Sequence, residues 1–209
     1  WKPSAREVMS HHVEAVEIQP LVVPLKRPFQ IATSRLDRVQ NLLVAVGLDC
    51  GAVGTGEIAT LFPVTADHYE SALEAAEELG EWLRDQVFED WRLLLKALRS
   101  QETARPAISA GFEMAIVEAV AVHCETPLHQ FFGAQQTPVR TDMTIPICEP
   151  AVCKELARSY QSAGFDTLKL KVGLDWNADL LAIRALREGH PHCRIVADAN
   201  EGFSIQEAH

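Results

Sequence analysis

No stretch of the 209 residues approaches the roughly 20 continuous apolar positions that a membrane-spanning helix requires. The first twelve residues, WKPSAREVMSHH, lack the apolar segment of a secretory signal. Basic charge is scarce. Nineteen Lys and Arg stand against 29 Asp and Glu, giving a formal net charge of -10 and a pI near 5.2. That balance argues against nucleic acid or another polyanion as the main partner. No CxxC pair is present: Cys50, Cys124, Cys148, Cys153 and Cys193 form an odd, scattered set. Such cysteines read as small core residues in a reducing compartment and not as a disulfide framework. The expected location is the cytoplasm. Organellar import stays open because the chain starts on Trp1 and both ends read as cut. Nothing repeats at solenoid spacing, and no segment is of low complexity. What is present is 47% hydrophobic side chains, too many for a disordered chain, with a mean hydropathy of -0.02, too low for a membrane bundle. A soluble, acidic, globular protein without a membrane partner is expected.

Periodicity divides the chain in two. Residues 13–58 read as strands: Val13 to Leu21, closed by Pro20 and Pro24; the apolar run Leu42 to Leu48; and a hairpin partner over Ala52 to Glu57 after the turn Asp49-Cys50-Gly51. Between the first two lies a loop, Pro24 to Ser34, that could reach outward. From Asp67 the period becomes helical, with Tyr69, Leu73, Ala76, Leu79, Leu83 and Val87 on one face. A shorter amphipathic piece spans Trp91 to Leu98, and Pro106 opens a third helix that buries Ile108, Phe112 and Ile116. Trp82, Trp91 and Leu93 to Leu95 read as core between helices. After residue 141 strand and helix alternate at steps of roughly 25–30 residues, which predicts parallel βα units. The strands are Thr141–Cys148, Thr167–Val172 and Cys193–Asp198; the helices are Pro150–Tyr160, stopped by Gly164, and Ala178–Leu186. Ser204 reads as the N-cap of a further helix. The expected organisation is a disordered terminus over 1–12, an α+β capping domain over 13–135, and the first βα units of a (β/α)-barrel over 136–209. An eight-fold barrel needs about 200 residues or more, so the barrel is incomplete in this chain.

The sharpest chemical signal is Lys169-Leu170-Lys171. Alternate residues of a strand share a face, so the two ammonium groups stand about 6.5–7 Å apart on one side, with Leu168, Leu170 and Val172 on the other. Strands of a parallel βα sheet are covered on both faces, where unpartnered lysines would each cost several kcal/mol. An edge strand whose lysines deter aggregation is the bland alternative. In Val196-Ala-Asp-Ala-Asn200 the same alternation puts Asp198 and Asn200 on one face at the strand's C-terminal end, where βα folds bind ligands. A carboxylate beside a lysine pair is a proton-transfer arrangement, and more so if Asp198 holds a hard cation. A salt bridge or helix cap is the alternative for Asp198. One carboxylate does not make a magnesium site by itself. Gly51 to Gly56 is glycine-rich but lies between strands with no helix following, so it reads as a hairpin and not a phosphate loop. His190-Pro-His192-Cys193 could ligate a metal but reads as loop at the opposite end of the strand. Glu57 reads equally as support for a loop or as a solvated strand end.

Thr167-Leu-Lys-Leu-Lys-Val-Gly173 followed by Val196-Ala-Asp-Ala-Asn200 resembles the enolase superfamily, in its muconate-lactonizing and mandelate-racemase-like branch. Pro24–Phe29, Gly54–Glu57, Phe112–Ala115, Pro127–Gly133 and Thr141–Ile145 extend the resemblance over nearly the whole chain from about residue 13. Together they most resemble the dipeptide epimerases of the L-Ala-D/L-Glu type. That resemblance implies an isomerase: a Mg2+-dependent racemase or epimerase that removes the α-proton next to a carboxylate, with a small-molecule carboxylate or dipeptide as substrate. It implies Lys171 as the base, Lys169 as its companion, which can also touch the substrate carboxylate, and Thr144 as a substrate contact. Asp198 is implied as the first magnesium ligand, and Asn200 as its polar support. The position of a substrate-holding arginine falls at Ser34, with Arg35 beside it. Further metal ligands and an opposing lysine are implied beyond His209, so the 209-residue chain alone is expected to be inactive. A homo-oligomer through the completed barrel is the expected assembly. Rival readings are a cycloisomerase or an o-succinylbenzoate synthase-like lyase, and a non-catalytic fragment acting only as a binding module.

Overall fold

The computed structural model describes residues 10–62, 64–65, 67–102 and 104–206. Two compact units result, one of residues up to 23 together with 39–136, the other of residues 24–38 together with those from 137 onward. The segment 24–38, expected within the capping domain, is grouped with the βα part.

A four-stranded sheet runs in the order β3-β2-β1-β4, built from β1 (His11–Gln30), β2 (Arg35–Leu48), β3 (Val53–Ile58) and β4 (Val87–Phe88), of which residues 24–30 of β1 and 35–38 of β2 are grouped with the second unit and the rest with the first. Alternation in β2 buries Leu42, Val44, Val46 and Leu48, while β3 turns Gly54, Gly56 and Ile58 inward. Four helices follow the hairpin: α1 (Tyr69–Leu83), α2 (Trp91–Gln101), α3 (Pro106–His123) and the single turn α4 (Leu128–Phe131). The Asp90 side chain caps α2 by accepting the Arg92 N–H at 2.9 Å. Pro106 opens α3 at a position where a missing N–H costs nothing. Among the described residues α3 is the one helix long and apolar enough to cross a membrane by length and composition, and it is packed as the core helix. Its closest neighbour is β3, and two glycines make this approach feasible. A Cβ on Gly54 would stand 2.1 Å from the Ala115 carbonyl oxygen, and one on Gly56 would stand 1.9 Å from that of Gly111.

Four expectations are corrected here. β1 does not stop at Leu21 but continues through Pro20, Pro24 and Pro28 to Gln30. On one side it pairs with β4 at His11 and His12, and Val13 donates to the Gln86 carbonyl at 2.9 Å and accepts the Asp85 N–H at 3.0 Å; a strand holds a proline where no ladder bond needs its missing N–H. The disordered terminus expected over 1–12 is ordered at His11 and His12, which pair with Phe88 and Val87; residues 1–9 lie outside the described residues. Leu93 is exposed, whereas Leu94 and Leu95 are buried as expected. Of the five free cysteines only Cys153 and Cys193 are buried; Cys50 and Cys124 are exposed and Cys148 is half-buried.

The second unit carries three parallel strands in the order β5-β6-β7, namely β5 (Met143–Ile145), β6 (Thr167–Lys171) and β7 (Arg194–Asp198). Helices α5 (Pro150–Ser162) and α6 (Trp176–Gly189) connect them. Leu168, Leu170 and Val172 enter a core with Ile145, Cys153, Ala157 and Leu186. Asp175 caps α6 by accepting the Ala178 N–H at 2.8 Å, and Gly164 follows α5 with φ +88°, a conformation that favours glycine. The helix expected after Ser204 falls largely on 207–209, outside the described residues.

Candidate active site

β6 lies between β5 and β7, so its lysines are not on an edge. In register, Thr144 of β5 stands beside Lys169, Lys169 beside Val196, and Lys171 beside Asp198. Because Leu168 and Leu170 take the helix-covered face, Lys169 and Lys171 are left on the other, where the Lys171 side chain is only 10% exposed. Lys171 Nζ donates to Asp198 Oδ2 at 2.7 Å and to Asn200 Oδ1 at 2.8 Å. Lys169 Nζ reaches the same Asp198 oxygen at 2.9 Å. The Asn200 N–H closes the group by donating to Asp198 Oδ1 at 3.0 Å. Asn200 and Glu201 both have positive φ, 46° and 64°, so the chain turns sharply at the strand end and presents the amide back to Lys171.

These contacts set the charges. The Lys171 hydrogen bond, followed by that of Lys169, holds the Asp198 carboxyl well below the usual carboxylate range. The same carboxylate raises the Lys169 ammonium above its ordinary value. Lys169, Lys171, Asp198 and Asn200 are thus brought together as one ion-paired cluster, with Thr144 as the register neighbour of Lys169.

No family model matches the chain. It is 40% identical over 206 residues to an L-Ala-D/L-amino acid epimerase of Populus trichocarpa, covering 97% of this chain and 48% of the relative. A solved mandelate racemase/muconate lactonizing protein from Herpetosiphon aurantiacus superposes with a TM-score of 0.87 at 30% identity, over 94% of this chain and 55% of that one. The likeness is to the enolase superfamily. The chain's homologues are dipeptide epimerases and proteins of the mandelate-racemase and muconate-lactonizing branch, and its fold is a capping domain joined to part of a barrel. A dipeptide epimerase from Enterococcus faecalis, solved with magnesium and the dipeptide L-Leu-L-Tyr, has a TM-score of 0.85 at 26% identity, covering 94% of this chain and 56% of its own. The chain spans about half the length of the curated relatives it matches.

Two features of this chain carried no signal in the sequence. A cavity of about 820 Å³ in the second unit is lined by Arg27, Arg35, Cys148, Glu149 and Asp179, among others. Lys169, Lys171 and Asp198 do not line it. Arg27 lies in the stretch read as an outward loop, where two prolines concealed the strand. Asp179 is buried and accepts the Gly173 N–H at 2.9 Å, tying α6 to the turn that leaves β6. That tie joins residues six apart across a strand-to-helix turn, and no periodicity marks it. His190, read as loop, is buried with Nε2 against the Phe165 carbonyl at 2.9 Å. Glu57 is exposed on β3 and accepts from Asn41 Nδ2 at 2.5 Å, so both open readings find a counterpart.

The donor set at the cluster fits magnesium only in part. Asp198 offers carboxylate oxygens at a strand end, the hard donor that cation takes. Among the described residues no group of three His, Cys, Asp or Glu donors includes Asp198.

Proposed function

We propose that this chain supplies one half of the site of a magnesium-dependent dipeptide epimerase, in which Lys171 exchanges the proton on the carbon α to a carboxylate. The carrying observation is the convergence of Lys169, Lys171 and Asn200 on Asp198 at the C-terminal end of β6 and β7. Lys171 takes a proton only as a free amine. Its Nζ donates to Asp198 and Asn200, so these contacts have to be released for Lys171 to act as base. Lys169, on the same face, is placed to meet a substrate carboxylate. Thr144 stands beside it for a further substrate contact. Asp198 is the residue of this chain that would ligate magnesium, whose charge, when bound, offsets that of an enolate oxygen.

The test joins this chain to the barrel portion of the Populus relative that it does not span. In heavy water the fusion is expected to incorporate deuterium at the α-carbon of an acidic dipeptide. Lys171→Ala is expected to slow exchange from one stereoisomer by at least about 100-fold. Exchange confined to cyclic acids would replace this reading with the cycloisomerase one. No exchange with any carboxylate would leave the chain a binding module.

A further inference from the structure

The first unit holds a donor cluster that the proposed epimerase chemistry does not use. His11 at the start of β1, Cys50 in the turn between β2 and β3, and His123 in the last turn of α3 place their ligand atoms within 4.8 Å of one another. Three elements distant in sequence deliver them, and each is fixed by the fold. His11 is held by pairing with Phe88 across to β4, and its side chain is 13% exposed. Its ring meets that of His123 edge-on, with centroids 4.5 Å apart. The Cys50 turn is fixed to β1 by the Asp49 N–H donating to the His12 carbonyl at 2.9 Å, and it is closed by the Gly51 N–H donating to the Leu48 carbonyl at 2.8 Å. Asp49 Oδ1 lies 3.9 Å from His11 Nδ1.

We propose that His11, Cys50 and His123 form a transition-metal site for a zinc-class divalent cation. Two imidazoles and a thiolate are the borderline and soft donors that select zinc and its neighbours over magnesium or calcium. Zinc holds nitrogen at about 2.0–2.1 Å and sulfur at about 2.3 Å, which sets tetrahedral ligands about 3.3–3.8 Å apart. The three atoms therefore have to close by at most about 1.5 Å, a movement within reach of side-chain rotations at His11, Cys50 and His123. His123 sits at the carbonyl end of an 18-residue helix, where the backbone dipole favours a cation. The fourth position is left to solvent, with the Asp49 carboxylate 3.9 Å from His11 Nδ1 as a neighbouring negative charge. Binding forms a metal–sulfur bond and releases the Cys50 thiol proton to solvent, so affinity rises with pH.

Cobalt(II) is the probe, because a thiolate ligand gives it a charge-transfer band in the near ultraviolet and tetrahedral geometry gives it intense visible bands. With magnesium in excess, the 209-residue chain is expected to bind one cobalt with both signatures, and added zinc is expected to displace it. Cys50→Ser is expected to remove the ultraviolet band, and His123→Gln to weaken binding at least about tenfold. Both positions are exposed or half-buried, so the fold, followed by circular dichroism, is expected to persist. Zinc is expected to raise Tm by at least about 3 °C in the parent chain and not in Cys50→Ser. A band that survives Cys50→Ser would place the thiolate at another cysteine and overturn the assignment. So would unchanged affinity in His123→Gln, or no saturation by about 1 mM cobalt.

Discussion

At Asp198 one carboxylate oxygen receives both ammonium groups of β6, and its partner oxygen receives a backbone amide. The alternation of lysines with leucines was enough to put these groups on one face, because a strand's period of two leaves no other choice. The focus on a single oxygen was not legible, since it depends on the left-handed turn at Asn200 and Glu201, which no motif marks. Asp67 shows the reverse situation. Only 2% exposed, it leaves Oδ2 without a partner, while Arg105 Nε stands 4.0 Å from Oδ1. Burial, more than Arg105 offsets it, raises this carboxyl above 3.8. A raised folded pKa means that the protonated form favours folding. That contribution is full below the unfolded value and is lost as pH rises through the folded one. Asp67→Asn is therefore expected to stabilise the first unit near pH 7 by about 1–2 kcal/mol and to be neutral near pH 3. Urea titrations at both pH values check this, and a destabilised variant at pH 7 would show the Arg105 pairing to outweigh burial.

Element by element, the helices were the most legible. Pro106 and Pro150 open two of them as read from the sequence, whereas the Asp90 and Asp175 caps emerge only in the fold. β1 was cut short in the sequence because Pro20 and Pro24 read as the end of a strand, whereas the fold carries it through both of them to Gln30. The hairpin over Gly54 and Gly56 was legible as a hairpin, but its glycines are set by tertiary contact and not by the turn. A Cβ at Gly56 would collide with backbone of α3, which cannot rotate away as a side chain can. Gly56→Ala is expected to cost at least about 2 kcal/mol by forcing β3 and α3 apart. Gly51, in the turn, has φ +81° and open space around the Cβ position, so Gly51→Ala is expected to cost only the left-handed strain, about 1–2 kcal/mol. Chemical denaturation of the two variants side by side tests the contrast; equal losses would mean that the helix can shift to accommodate a methyl group.

On the scale of the whole molecule, the chain covers about half of each curated relative, and its parallel sheet consists of three strands. β7 pairs with β6 on one side, and its Ala197 is exposed. Amides of β7 are expected to exchange with solvent faster than those of β2, whose inward residues Leu42, Val44 and Val46 are fully buried. Hydrogen exchange resolved by mass spectrometry checks that order. Metal affinity follows from the same count of strands. Magnesium takes several oxygen ligands in near-octahedral geometry, and the candidate active site offers the one carboxylate of Asp198. Both lysines already engage Asp198 Oδ2, so a cation there has to displace two hydrogen-bonded ammonium groups and gains no second acidic ligand in return. The 209-residue chain is accordingly expected to bind magnesium no more tightly than about the millimolar range, with no rise in Tm on its addition. Isothermal calorimetry decides it: a tight stoichiometric site would require oxygen donors that the β5–β7 sheet does not present, whereas weak, unsaturated heats place the remaining ligands on strands outside this sheet.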